Sequence, residues 1–215
     1  MIFHSPFLEK DSEVRKDRRH LPHWRLGGSF CFLTWRLFDS LPQEKLKAWR
    51  AEKQAWLMEH PKPWDTRTTN EYRERFPKRL DAWLDAGYGA CYLRDPVCAR
   101  IVANALHFFD GERYDLASFV VMPNHVHVLM QLRGGTELES LTHSLKSYSA
   151  QEINKLLERR GAFWQQEGFD HLLRGIPHLD RCLSYIQQNP EKAHLKPGEY
   201  LYYEAPKFRD FEPPE

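Results

Sequence analysis

YDLASFVVMPNHVHVLMQLR, residues 114–133, decides the fold. It is rich in β-branched and aromatic residues on both sides of Met122-Pro123-Asn124, so it predicts two strands, 114–122 and 125–132, joined by a tight turn. Gly134-Gly135 closes that hairpin. Upstream, Asp95-Pro96 opens a helix whose apolar stripe is Val97, Ile101, Val102, Ala105 and Leu106, ending at Asp110-Gly111. Downstream, TELESLTHSLKSYSAQEINKLLERR (136–160) is an amphipathic helix with Leu138, Leu141, Leu145, Ile153, Leu156 and Leu157 inward. GSFCFLTWRL (28–37) reads as a first strand, and FDHLLRG (169–175) holds a short one. A last helix is expected over 177–189, ending at Pro190. Without the segment 43–85 this order is a split β-α-β unit, an α+β antiparallel sheet with helices packed on one face.

The flanks are plainer. Residues 1–23 form a mixed-charge arm, and 43–85, with ten basic and eight acidic residues, reads as an inserted, solvated helical hairpin. The main domain is 24–195, and the tail 196–215 is read as irregular and acidic. The 215 residues carry 31 Lys+Arg against 30 Asp+Glu, a net charge of +1, which excludes a sequence-blind basic clamp on nucleic acid. No apolar run approaches the ~20 residues of a membrane span, and the N-terminus lacks a secretory pattern, so no membrane partner is expected and the chain reads as cytoplasmic. Four cysteines without close spacing read as buried thiols in a reducing compartment.

Two patterns carry chemistry. His125-Val126-His127 lies in the second hairpin strand, so both imidazoles project from one face. Neutral imidazoles two apart on a strand suit a divalent metal. A bare pair is also, and more commonly, ordinary polar decoration of a half-buried sheet. Tyr185 and Asn189 are four apart on the last helix and share a face. A phenol is a usable nucleophile and an amide oxygen can ligate a hard cation, yet the same residues suit an amphipathic helix ending before proline.

Taken with their surroundings, these patterns resemble the REP-associated tyrosine transposases of the single-tyrosine HUH insertion-sequence superfamily. The resemblance runs from about residue 20 to 195, through LPHWRLGGSFCFLTWRLFDSLP, DAGYGACYLRDP, FDGERYDL, VVMPNHVHVLM, HSLKSYSAQEIN, FWQQEGFDHLLR and YIQQNPEKAHL. It implies the HUH endonuclease fold, a ferredoxin-like or RRM-like sheet. It also implies Mg²⁺ or Mn²⁺ held by His125, His127 and Asn189, and Tyr185 as the nucleophile. Gln188 is the neighbouring alternative ligand, and Tyr148, in HSLKSYSAQEIN, a minor alternative nucleophile.

The implied activity is cleavage and strand transfer on single-stranded DNA near palindromic hairpins, through a 5′-phosphotyrosine. The alternative is a domesticated hairpin-binding protein that no longer cuts. Lys146 and Arg174 are candidate phosphate contacts, and Trp164 either stacks on a base or belongs to the core. His171 stands where many relatives carry arginine. A monomer is expected, with a dimer as the alternative.

Overall fold

The computed structural model describes residues 16–17, 23–24, 29–166, 168–173 and 176–209. Of the N-terminal arm, only a short ladder of β1 (Lys16–Asp17) with β2 (His23–Trp24) is described; the rest lies outside the described residues. The main sheet contains β3 (Phe30–Arg36), β4 (Tyr114–Val121), β5 (His125–Leu132), β6 (Phe169–Leu172) and β7 (Leu201–Glu204). Their spatial order is β6-β3-β5-β4-β7, with every pair antiparallel. The first four strands, in that order, make the expected split β-α-β sheet.

Side-chain alternation divides the sheet. Cys31, Leu33, Trp35, Val126, Val128 and Met130 face one way, under α4 (Pro96–Phe108) and α5 (Leu138–Leu156). The start of α4 is set by Asp95, whose carboxylate accepts from Val97 N at 2.8 Å, with Pro96 in the first turn. Val97, expected to be inward, is 53% exposed; Cys98, Val102 and Leu106 make the buried stripe with Ala99 and Ala105. Leu156 is likewise exposed, at the last turn of α5.

Phe30, Phe32 and Leu129 face the other way and are covered by α6 (Ile176–Lys192) through Leu179, Cys182 and Ile186. So α4 and α5 share a face as expected, but α6 crosses the opposite one. An amphipathic helix buries its stripe on whatever apolar face is left open, and the first face is already full. Pro190 does not stop α6, which runs to Lys192; a proline this near the end removes only one late backbone bond.

Two expectations are corrected. The tail is not irregular throughout, because β7 pairs with the outer edge of β4, and α7 (Pro206–Arg209) follows. The β-prone Leu201-Tyr202-Tyr203-Glu204 satisfies backbone groups that β4 would otherwise leave unpaired. The insert is three helices rather than a hairpin: α1 (Gln43–Glu59), α2 (Thr66–Arg75) and α3 (Pro77–Asp85). Asp65 caps α2 by accepting from Thr68 N at 2.7 Å, and Pro77 breaks the second arm in two. The insert has its own aromatic centre, where buried Trp56 meets Trp64, Tyr72 and buried Phe76. Among the described residues, no helix is long and apolar enough to cross a membrane.

Candidate active site

The turn before β5 orients the first histidine. Met122 N donates to His125 O at 2.9 Å, and Pro123 O accepts from Leu93 N at 3.1 Å. Asn124 is buried, and its Nδ2 donates to the carbonyls of Leu84 (3.1 Å) and Tyr88 (3.2 Å). Its Oδ1 therefore faces His125 Nδ1, 2.7 Å away. An acceptor there puts the ring proton on Nδ1 and leaves the Nε2 lone pair pointing into the site. The His127 ring is oriented from the next strand. Thr34, its register partner in β3, places Oγ1 2.7 Å from Nδ1.

Both rings are 1% exposed, with centroids 4.7 Å apart. Burial pushes His125 down to about 3, offset only in part by the neighbouring Asn189. It also holds His127 well below its ordinary value, with His125 adding to the effect. Both are thus neutral at pH 7, the form in which imidazole ligates.

α6 brings two further groups to the same point. Tyr185 Oη lies 3.5 Å and Asn189 Nδ2 3.4 Å from His127 Nε2. Phe32 stacks on the His127 ring and meets the edge of Tyr185, fixing both. Within the described residues, two buried atoms here lack any hydrogen-bond partner: His125 Nε2 and Asn189 Oδ1. Two unprotonated imidazole nitrogens and an unsatisfied amide oxygen are lone-pair donors, the set a divalent cation would satisfy. These residues fit Mg²⁺ or Mn²⁺. Gln188 is exposed, so of the two amides Asn189 is the one at the site.

The other candidates lie elsewhere. Lys146, on α5 across the sheet, donates from Nζ to the carbonyls of Gln165 (2.6 Å) and Gln166 (3.1 Å); burial, with Arg36 nearby, pushes it down to about 8. Tyr148 is an exposed residue of the same helix. Trp164 is a core residue, edge-on to Trp35 and donating from Nε1 to Ser149 Oγ at 3.1 Å. Arg174 lies outside the described residues.

Sequence reasoning missed the insert's contribution. Asp81 and Asp85, one turn apart on α3, lie close enough to Tyr185 for their charge to act on its phenol. Burial raises both carboxyls to about 6, opposed by the Lys192 charge. Burial, with Asp81 and Asp85 beside it, holds the Tyr185 phenol well above its ordinary value. Their spacing of four, in a short helix far along the chain from Tyr185, was the only available signal. Arg36 is a second such residue: a nearly buried cation, opposite His125 in register.

The antiparallel split β-α-β sheet thus carries a buried His-x-His pair on its central strand, and one helix brings a phenol and an amide to it. Residues 88–189, just under half of the chain, match the model of the IS200-like transposase family. Comparison of the sequence with curated proteins gives no match. Two solved structures are similar. A REP-associated tyrosine transposase bound to a REP hairpin is 16% identical, with 83% of this chain and 73% of that one covered and a TM-score of 0.43. A protein of Deinococcus radiodurans R1 assigned as a transposase is 15% identical, with 85% and 99% covered and a TM-score of 0.32.

Proposed function

We propose that the protein is a metal-dependent, single-tyrosine endonuclease and strand transferase acting on single-stranded DNA near palindromic hairpins. One observation carries this reading. The Tyr185 hydroxyl meets His127 Nε2 at the point where His125 Nε2 and Asn189 Oδ1 are left unsatisfied. A binder that never cuts has no need to bury two unsatisfied polar atoms, each costing on the order of 1–3 kcal/mol.

A Mg²⁺ or Mn²⁺ ion held by His125, His127 and Asn189 would supply positive charge to the scissile phosphate and the departing oxygen. The remaining chemistry belongs to the chain. Tyr185 Oη attacks phosphorus in line; the Oη–P bond forms and the P–O3′ bond breaks. One fragment leaves with a 3′-hydroxyl, while the other stays on Tyr185 as a 5′-phosphotyrosine. The phosphodiester's energy is conserved in that link, so a second 3′-hydroxyl can reverse the step and join strands. Phe32 limits the phenol's swing, Asn124 keeps His125 in one tautomer, and Thr34 fixes the orientation of the His127 ring.

The test uses single-stranded hairpin DNA, labelled at its 3′ end, incubated with Mn²⁺. A labelled band at the protein's mass on a denaturing gel is expected from the wild type and not from Tyr185→Phe. No adduct with any palindromic hairpin, or an adduct that persists in Tyr185→Phe, overturns the assignment. Hairpin binding without an adduct would identify the non-cleaving binder instead.

A further inference from the structure

The ion pairs of the insert leave three of its lysines out. Glu52 is shared by Arg75 and Arg79, and Glu74 holds Lys78. Lys45, Lys53 and Lys62 sit over aromatic rings instead, and among the described residues no carboxylate pairs with them. Lys45 Nζ is 4.7 Å from the centre of the Tyr88 ring and donates to its hydroxyl at 3.1 Å. Lys53 Nζ lies 4.9 Å from the Trp49 ring and 5.7 Å from that of Tyr72, and Lys62 Nζ 5.1 Å from Trp64. A ring face attracts a cation without cancelling its charge, so the positive charge here is held in place but not neutralised.

These groups form one row. Lys45, Trp49 and Lys53 are four apart on α1 and share a face, which puts the two lysines about 12 Å apart along the helix. Lys53 reaches across to Tyr72 on α2, whose ring is 4.8 Å from that of Trp64, under Lys62. Lys45 and Lys62 are exposed at the two ends, and the rings of Trp49, Tyr72 and Trp64 are half-buried between them. The Lys45 end abuts the candidate site. The carbonyl of Tyr88 accepts from Asn124 Nδ2, and the same amide's Oδ1 orients His125.

We infer that this row is a second DNA-binding surface, along which the single strand runs as it leaves the candidate active site. This rests on the function proposed above and names where its substrate is held. A ligand that fits must carry repeated negative charge with flat apolar groups between, which is the chemistry of single-stranded DNA: phosphates meet the ammonium groups and bases pack against the rings. An acidic peptide would match the charge but leave the rings unused. The family match at 88–189 does not include α1 or α2, so this surface is an addition to the catalytic region. Within that region Lys146 is already committed to two backbone carbonyls. A few placed cations also agree with a chain whose net charge is only +1.

Fluorescence anisotropy with a labelled oligo(dT) of about 16 nucleotides, titrated at several salt concentrations in the presence of a chelator, tests the surface. The triple variant Lys45→Gln/Lys53→Gln/Lys62→Gln should bind roughly 10–100-fold more weakly than the wild type at about 0.1 M salt. Its plot of log K against log salt should be shallower by about 2, since each single-strand phosphate contact contributes about 0.7. The matching triple Lys→Arg variant should keep the wild-type slope. A Gln variant with unchanged affinity and slope overturns the surface; if its urea midpoint falls as well, the lysines only brace the insert. A wild type that does not bind oligo(dT) at low salt also overturns it. Poly-glutamate binding as tightly as oligo(dT), and lost in the Gln variant, would overturn the assignment to DNA and reassign the row to an acidic protein partner. Adduct formation by the wild type on hairpin DNA with Mn²⁺ keeps the two readings apart. An adduct together with an unchanged slope in the Gln variant sinks the surface and leaves the transposase reading intact. No adduct together with a slope lost in the Gln variant sinks cleavage and supports the surface as that of a DNA binder.

Discussion

The same strands build both faces of the sheet, and the faces differ in kind. On one, Leu33, Trp35, Val126, Val128 and Met130 are sealed under α4 and α5. On the other, residues one position along in the same strands are Thr34, Arg36, His125 and His127, and α6 lays Tyr185 and Asn189 across them. The contrast shows how a sheet can separate stability from chemistry by alternation alone. It also explains why register matters here: a one-residue slip of β5 would send both histidines into the apolar face.

Substitutions on each face should expose this division, and the largest effect belongs to the polar one. His127→Ala should lower the rate of adduct formation by ~10³-fold or more, comparable to losing a preorganised electrostatic contact, while the urea midpoint changes little. Phe119→Ala, on the sealed face against Tyr203 and His107, should cost about 3–5 kcal/mol in urea unfolding and leave cleavage per folded molecule unchanged. A reversed outcome for this pair would break the comparison.

Acid stability follows the site face and has a worked sign. In metal-free protein, His125 and His127 titrate below the unfolded value of about 6.5, so the unfolded chain binds more protons and stability falls as pH drops through that value. Each contributes a slope of at most about 1.4 kcal/mol per pH unit. Asp81 and Asp85 act oppositely. Their folded values, about 6, lie above the unfolded value, so their contribution is present at low pH and is lost as pH rises through about 6. Between pH 4.5 and 6 the two pairs oppose each other. The double variant Asp81→Asn/Asp85→Asn should therefore show a steeper acid loss in chelator-treated urea titrations than the wild type.

A smaller effect sharpens the ligand geometry. Thr34→Val should weaken Mn²⁺ binding, measured calorimetrically, by roughly 10–100-fold, because His127 loses the group that orients it. Tyr148→Phe, at an exposed position of α5, should change neither cleavage nor stability beyond about 0.5 kcal/mol.

Much of this was legible locally. β5 runs over His125–Leu132 as the alternation predicts, and Tyr185 and Asn189 share the helix face that their spacing requires. Both follow from short-range periodicities, 2 for strands and 3.6 for helices. Lys146 shows where such reasoning fails: a lysine on an amphipathic helix looks like a surface charge until a distant loop offers it two carbonyls. The strand at 201–204 was missed for a related reason, since its partner lies some 80 residues away in β4.

By itself, then, the sequence determined the βαββαβ order, the shared face of His125 and His127, and the one-turn spacing of Tyr185 and Asn189. Only the tertiary structure decided that α6 takes the face opposite α4 and α5, that β7 closes the outer edge of β4, and that α3 carries Asp81 and Asp85 towards Tyr185. The physical reason is the range of the interactions. Alternation and helical pitch are written into neighbouring residues, whereas the face a helix covers depends on which surfaces the rest of the chain has already buried.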